Sequence, residues 1–166
     1  MAIKDALLPE FDHEMGTTRR VLERVPDADL QWTPHQKSFN LGRLAAHIAN
    51  IPHWMNVTCD TSEFDVASQA DDVRPKDPPS TAWILQTFDE NVKNARAKLA
   101  EQTDAMLMAT WSLKQGTHQI FTMPKAAVLR SFVLSHLIHH RGQLTVYLRL
   151  RDVPLPSVYG PTADEG

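Results

Sequence analysis

Cysteine is almost missing from this sequence of 166 residues: Cys59 stands alone, and a single thiol excludes an intramolecular disulfide. That fits a reducing compartment, with Cys59 read as a structural or incidental thiol rather than a nucleophile. No window approaches the ~18 consecutive apolar residues of a membrane span. The opening stretch, MAIKDALLPEFDHEM, lacks the apolar centre of a secretory signal, so the expectation is a cytoplasmic protein without a membrane partner. Basic runs are missing as well. With 17 basic against 20 acidic residues and a net charge of −3, no stripe of the kind that binds phosphate backbones stands out, which argues against nucleic acid as a direct partner. There are no internal repeats and no low-complexity segments. The length suits one domain with a proper core, and residues 1–166 are read as a single domain.

What is present is helical periodicity. Ile3, Leu7, Phe11, Met15, Leu22 and Val25 mark an amphipathic helix over 3–25. Pro26 and Asp27 end it, and 26–38 reads as a connector in which His35 is a solvated side chain. Asn40 is a good N-cap for a second helix to about residue 57, striped by Leu41, Leu44, His47, Ile48, Ile51, Trp54 and Met55. Pro52 kinks it, and His53 points to the surface or rim. The polar, acidic stretch 58–80 is longer than a tight turn between neighbours needs, so it crosses the bundle or covers a site. Ser80 caps a third helix to about residue 100, with Ile84, Phe88, Val92, Ala95 and Leu99 as its core stripe. Around Gln115 and Gly116, residues 110–123 suggest a short hairpin with His118 at its tip. A fourth helix opens after Pro124 and runs from about 125 to 151. The tail, with Pro154, Pro156 and Pro161, cannot be helical throughout. The fold class is therefore all-α, four helices with one short β-hairpin between the third and the fourth.

The fourth helix puts histidines where apolar residues belong. At about 100° per residue, Leu129, Val133, His136, His140, Leu144 and Tyr147 fall within roughly 60° of one line, which sets both histidines mid-stripe on the buried face. Residues four apart are neighbours on a helix, and this spacing presents two ring nitrogens to one ion in zinc-binding helices. Two core histidines bonded to carbonyls or hydroxyls would use the same spacing. His47, on the apolar face of the second helix, adds a third imidazole. Three imidazoles from two helices can fill three corners of a tetrahedral or octahedral ion and leave a position open. Gln143, three residues past His140 and on nearly the same face, can hold an imidazole tautomer or a bound ligand, or simply border the stripe. Arg141 points about 100° off that line and reads as a surface or interface charge. Gly142 costs about 1 kcal/mol relative to alanine in mid-helix, and a close helix crossing would account for it. Glu10, Asp12 and Glu14 on the first helix are the candidate carboxylates for a general base.

These residues carry a resemblance. LGRLAAHI at 41–48, SHLIHHRGQL at 135–144 and VPLPSVYGPTADE at 153–165 occur in the order found in the DinB superfamily, the DinB/YfiT-like helical bundle metalloenzymes, and the likeness covers most of the chain. The resemblance implies a four-helix bundle with long crossover connections, a metal triad of His47, His136 and His140, nickel or zinc as the ion, and a homodimer. Among relatives it implies thiol-dependent transferases or isomerases that use mycothiol or bacillithiol, and hydrolases.

Three readings stay open on the sequence. The first is a metal-dependent enzyme in which a divalent ion on His47, His136 and His140 activates water or a low-molecular-weight thiol cosubstrate for attack on a small-molecule substrate. The second is a non-catalytic, metal-stabilised dimeric binding or stress-response protein, whose closed site needs a fourth protein ligand. The third has satisfied core histidines and no metal.

Overall fold

The computed structural model describes residues 1–68 and 77–165. Helix α1 spans Ile3–Leu22, a 3-10 turn follows at Asp27–Asp29, and α2 covers Leu41–Asn50. The Asn40 side chain accepts from the Arg43 N–H at 2.7 Å, satisfying one of the donors that a helix start leaves open. At Pro52 the second helix breaks rather than bends, because proline has no N–H to offer the ladder, and α3 resumes at His53–Asp60. Ser80 caps α4, Thr81–Glu101, by accepting from the Trp83 N–H at 3.2 Å.

After α5 (Asp104–Met108) come the strands β2 (Thr110–Gln115) and β3 (His118–Pro124). They pair antiparallel as expected, and His118 is exposed at the turn. Gly116 closes this hairpin at φ +60°, a left-handed position that favours glycine. The all-α expectation needs one correction. Strand β1 (Glu63–Asp65), from the 58–80 connection, pairs parallel to β2 and makes a three-stranded sheet of order β1-β2-β3. Asp65 holds it in place by accepting from the backbone N–H groups of Gly116 at 2.9 Å and Ala67 at 2.8 Å, bonds that also pull its carboxyl below the usual range. Residues 69–76 of that connection lie outside the described residues.

The chain then runs as one helical rod through α6 (Lys125–Val128), a π-helical segment (Leu129–Leu134) and α7 (Ser135–Leu150). Helix α4 packs on α1, α2 and α3, while α7 packs on α1 and α2. The resulting molecule is mostly helical with a small sheet at one side. Its main core joins Phe11 and Met15 of α1, Leu44 and Ile48 of α2, Phe88 and Leu99 of α4, and Leu137, Leu144 and Leu148 of α7. A second cluster, Phe64, Trp111, Leu113 and Val128, fills the space under the sheet. No helix among the described residues is long and apolar enough to cross a membrane.

The π segment resets the face of the rod. Each π turn holds about one residue more than an α turn, so residues beyond it rotate by about 100° relative to an unbroken α-helix. Beyond Leu134 the buried stripe is Leu137, Arg141, Leu144 and Leu148, and His136, His140 and Tyr147 are half-buried at its edge. Arg141 is therefore not a surface charge but one of the most buried side chains of the molecule, 2% exposed. Gly142 is corrected too: a Cβ there would meet nothing within 4 Å, so no close crossing explains it. The close approach is at Gly42, where a Cβ would stand 2.9 Å from the Leu30 carbonyl oxygen.

Candidate metal centre

Helix α2 carries His47 on the face that meets α7, buried to 6% exposure, and α7 brings His136 and His140 to the same point. The Nε2 atoms of His47 and His136 are 3.3 Å apart, and those of His136 and His140 2.8 Å. One donor atom from each ring lies within 4.8 Å of the others, so the structure brings together the three histidines singled out by pattern. Trp54 stands edge-on to His47 and His136, with ring centroids at 5.7 and 5.0 Å. Phe132 does the same to His136 at 5.8 Å, and Phe39 to His47 at 6.3 Å.

The tautomers decide what the cluster can do. His140 donates from Nδ1 to Gln143 Oε1 at 2.7 Å, which leaves its Nε2 as a bare lone pair. Gln143 thus orients the ring, as its place on the helix suggested. The Phe132 backbone raises the pKa of His136, whose Nε2 faces the other two rings. A nitrogen pair at 2.8 Å is held by a proton on one ring or by an electrophile between two lone pairs. The 3.3 Å separation between His47 and His136 also matches two ligands of one tetrahedral ion, about 3.3 Å for bonds of about 2.0–2.1 Å.

Burial keeps the rings neutral. It pushes His47 down to about 4, helped by His140 and His136, and His136 down to about 4, helped by His140. His140 is lowered as well, again mainly by burial. A neutral imidazole is the form that binds a metal. The site therefore has the donor set and the protonation state for a divalent ion.

Residues 1–166 match the model of the DinB family. The chain belongs to the DinB family. Among curated proteins, YrdA of Bacillus subtilis (strain 168) is similar, 27% identical over 163 residues that cover 97% of this chain and 90% of YrdA. Two solved structures have this DinB fold. A DinB-like protein from Bacillus cereus ATCC 10987 superposes with a TM-score of 0.72 at 23% identity, covering 93% of this chain and 97% of its own. YjoA, a DinB-like protein of Bacillus subtilis, does so with 0.68 at 18% identity, covering 92% and 96%. Membership of the DinB family and the three-histidine cluster together fit a metal-binding protein.

The carboxylates of α1 do not come to the cluster. Glu10 pairs with Arg130 at 3.1 Å, Asp12 with Arg96 at 2.7 Å and Glu14 with Arg141 at 2.8 Å, so each is engaged elsewhere. His53, His35 and His118 stand apart from it, and Cys59 is buried with its thiol pushed up to about 11 by burial. Reasoning from the sequence missed two neighbours. His139 lies against His140, with ring centroids 4.9 Å apart, on the exposed side. The Trp54 and Phe132 wall was also missed. Trp54 is seven residues past His47, two helical turns, and Phe132 is four residues before His136, one turn; both spacings are signals available in the sequence.

Proposed function

We propose that this DinB-family protein is a metal-dependent enzyme in which His47, His136 and His140 hold one divalent ion, nickel or zinc. The observation that carries this reading is the convergence of three ring nitrogens from two helices, the Nε2 atoms of His136 and His140 at 2.8 Å and those of His47 and His136 at 3.3 Å. A divalent ion bound there would supply Lewis acidity and open positions for water or a small-molecule thiol. The protein supplies the rest: Gln143 fixes the His140 tautomer, and the rings of Trp54 and Phe132 cover one side of the cluster. The four-helix frame of α1, α2 with α3, α4 and the 125–150 rod holds α2 and α7 at the distance the triad needs. Hydrolysis or thiol transfer on a small electrophilic substrate is the chemistry that suits this site. The reading of a purely structural ion has less support, because among the described residues the cluster holds three donors and a closed tetrahedral site takes four. A homodimer is part of the proposal.

Elemental analysis of protein purified without a polyhistidine tag tests it. About one equivalent of metal per chain is expected, lost in both His47→Ala and His140→Ala. Full metal content in either variant would overturn the triad.

A further inference from the structure

We propose that the apolar cavity between α3 and the sheet is a subsite for the alkyl portion of the small molecule that is bound at the histidine cluster. The inference rests on the reading of that cluster as a metal centre. The cavity measures about 60 Å³ and is lined from α3 by Trp54, Val57 and Thr58, from the sheet side by Phe64, Trp111 and Leu113, and by Phe132 of the π segment. The space is half open to solvent, and a preformed apolar recess beside a few polar groups is the usual form of a small-molecule site.

Its chemistry identifies the occupant. The polar side-chain groups of the lining are turned to partners of their own: Thr58 Oγ1 donates to the Trp54 carbonyl at 2.8 Å, and Trp111 Nε1 to Thr61 Oγ1 at 3.0 Å. Apart from the Trp54 indole N–H, for which no partner is found among the described residues, what remains is carbon, and a lining of this kind takes apolar groups. A benzene-binding cavity has a volume of about 150 Å³. The space here suits an alkyl group of about two or three carbons on the same scale.

Two rings join the cavity to the histidines. Trp54 stacks on Phe132 at 5.5 Å, both line the cavity, and both stand edge-on to His136. The cavity is thus one ring away from the Nε2 lone pairs. The Trp54 indole N–H is buried with no partner, which leaves one donor at this boundary for a carbonyl or similar acceptor next to the alkyl chain. The π segment supports the same reading. It places Phe132 against Phe121 of the sheet at 5.5 Å while holding His136 at the cluster, and π insertions in α-helices occur frequently at functional sites.

The test uses a series of hydroxamates, acetohydroxamate, butyrohydroxamate and isovalerohydroxamate, whose head groups bind divalent metals, titrated calorimetrically into the zinc-loaded protein. Kd is expected to fall about three- to fourfold per added methylene until the cavity is full. Val66 lines the cavity as well. In Val57→Phe and Val66→Phe, each placing a ring in the cavity, the gain should vanish while acetohydroxamate affinity and zinc content hold. Both positions are partly exposed, and a thermal melt of each variant checks its fold. A flat series in the parent protein, with acetohydroxamate bound, would overturn the subsite and leave the metal centre standing. Failure of acetohydroxamate itself would count against the metal centre instead. The cavity is then read in metal-free protein with isobutanol, through the Trp54 and Trp111 indole N–H resonances. Shifts that disappear in Val66→Phe support the cavity, and their absence overturns it.

Discussion

Arg141 occupies a core position between Leu137 and Leu144, and the surroundings are built to accept its charge. Its guanidinium reaches Glu14 Oε2 at 2.8 Å, the Glu14 carbonyl at 3.2 Å, Thr18 Oγ1 at 3.1 Å and the Tyr159 hydroxyl at 2.6 Å. The Tyr159 hydroxyl in turn donates to the Glu14 carboxylate at 2.9 Å. Breaking one side of a buried pair leaves the other charge without compensation, so Arg141→Leu is expected to lower stability by about 3–5 kcal/mol. Tyr159→Phe keeps the pair and removes only the hydroxyl, with an expected loss of about 1–2 kcal/mol. Urea unfolding of the two variants checks both the size and the order. An Arg141→Leu protein as stable as the parent would show that the pair contributes no net stability over a packed leucine.

At the scale of elements, the two α-helical glycines of the helices that carry the histidine cluster should respond to alanine in opposite directions. Gly142→Ala adds a methyl into open space and removes the entropic cost of glycine in a helix, so a gain of about 0.5–1 kcal/mol is expected. Gly42→Ala drives a methyl against the Leu30 carbonyl, which also accepts the Gly42 N–H at 2.9 Å; this variant should lose stability, read as a lower Tm. The long helices were legible in the sequence because they keep a 3.6-residue period, two of them behind the caps Asn40 and Ser80, whereas the five-residue α5 is too short for a period to register. The pairing of His136 with His140 was legible for the same reason, since both lie beyond the π segment and keep their mutual spacing. What the pattern could not deliver was the face. A stripe carried from Leu129 across an extra residue per turn lands on His136 and His140 as its centre and turns Arg141 outward, whereas the folded rod does the reverse. Strand β1 left no pattern either, being three residues long with only Phe64 turned inward, too short for alternation to register.

Taken over the whole molecule, the cluster couples folding to pH. In metal-free protein His47 and His136 titrate at about 4, against 6.5 for an exposed histidine. Between these values the unfolded chain binds more protons than the folded one, so stability is full above about 6.5 and declines as pH falls toward about 4. On the proposed function zinc would bind the folded state, and an excess of a hundredfold over Kd would add about 2.7 kcal/mol. Because His47 and His136 resist protonation down to about 4 and His140 is lowered as well, the increase in Tm on adding zinc should persist at pH 5.5, where an exposed histidine site has already lost most of its neutral imidazole. Thermal melts from pH 4 to 8, with and without zinc, and repeated in His47→Ala, separate the two contributions. In the variant the zinc-dependent increase should be gone. A parent protein whose zinc response collapses near pH 6.5 would show that burial does not hold these rings neutral, and the account of the site as a set of neutral imidazoles ready for an ion would fail with it.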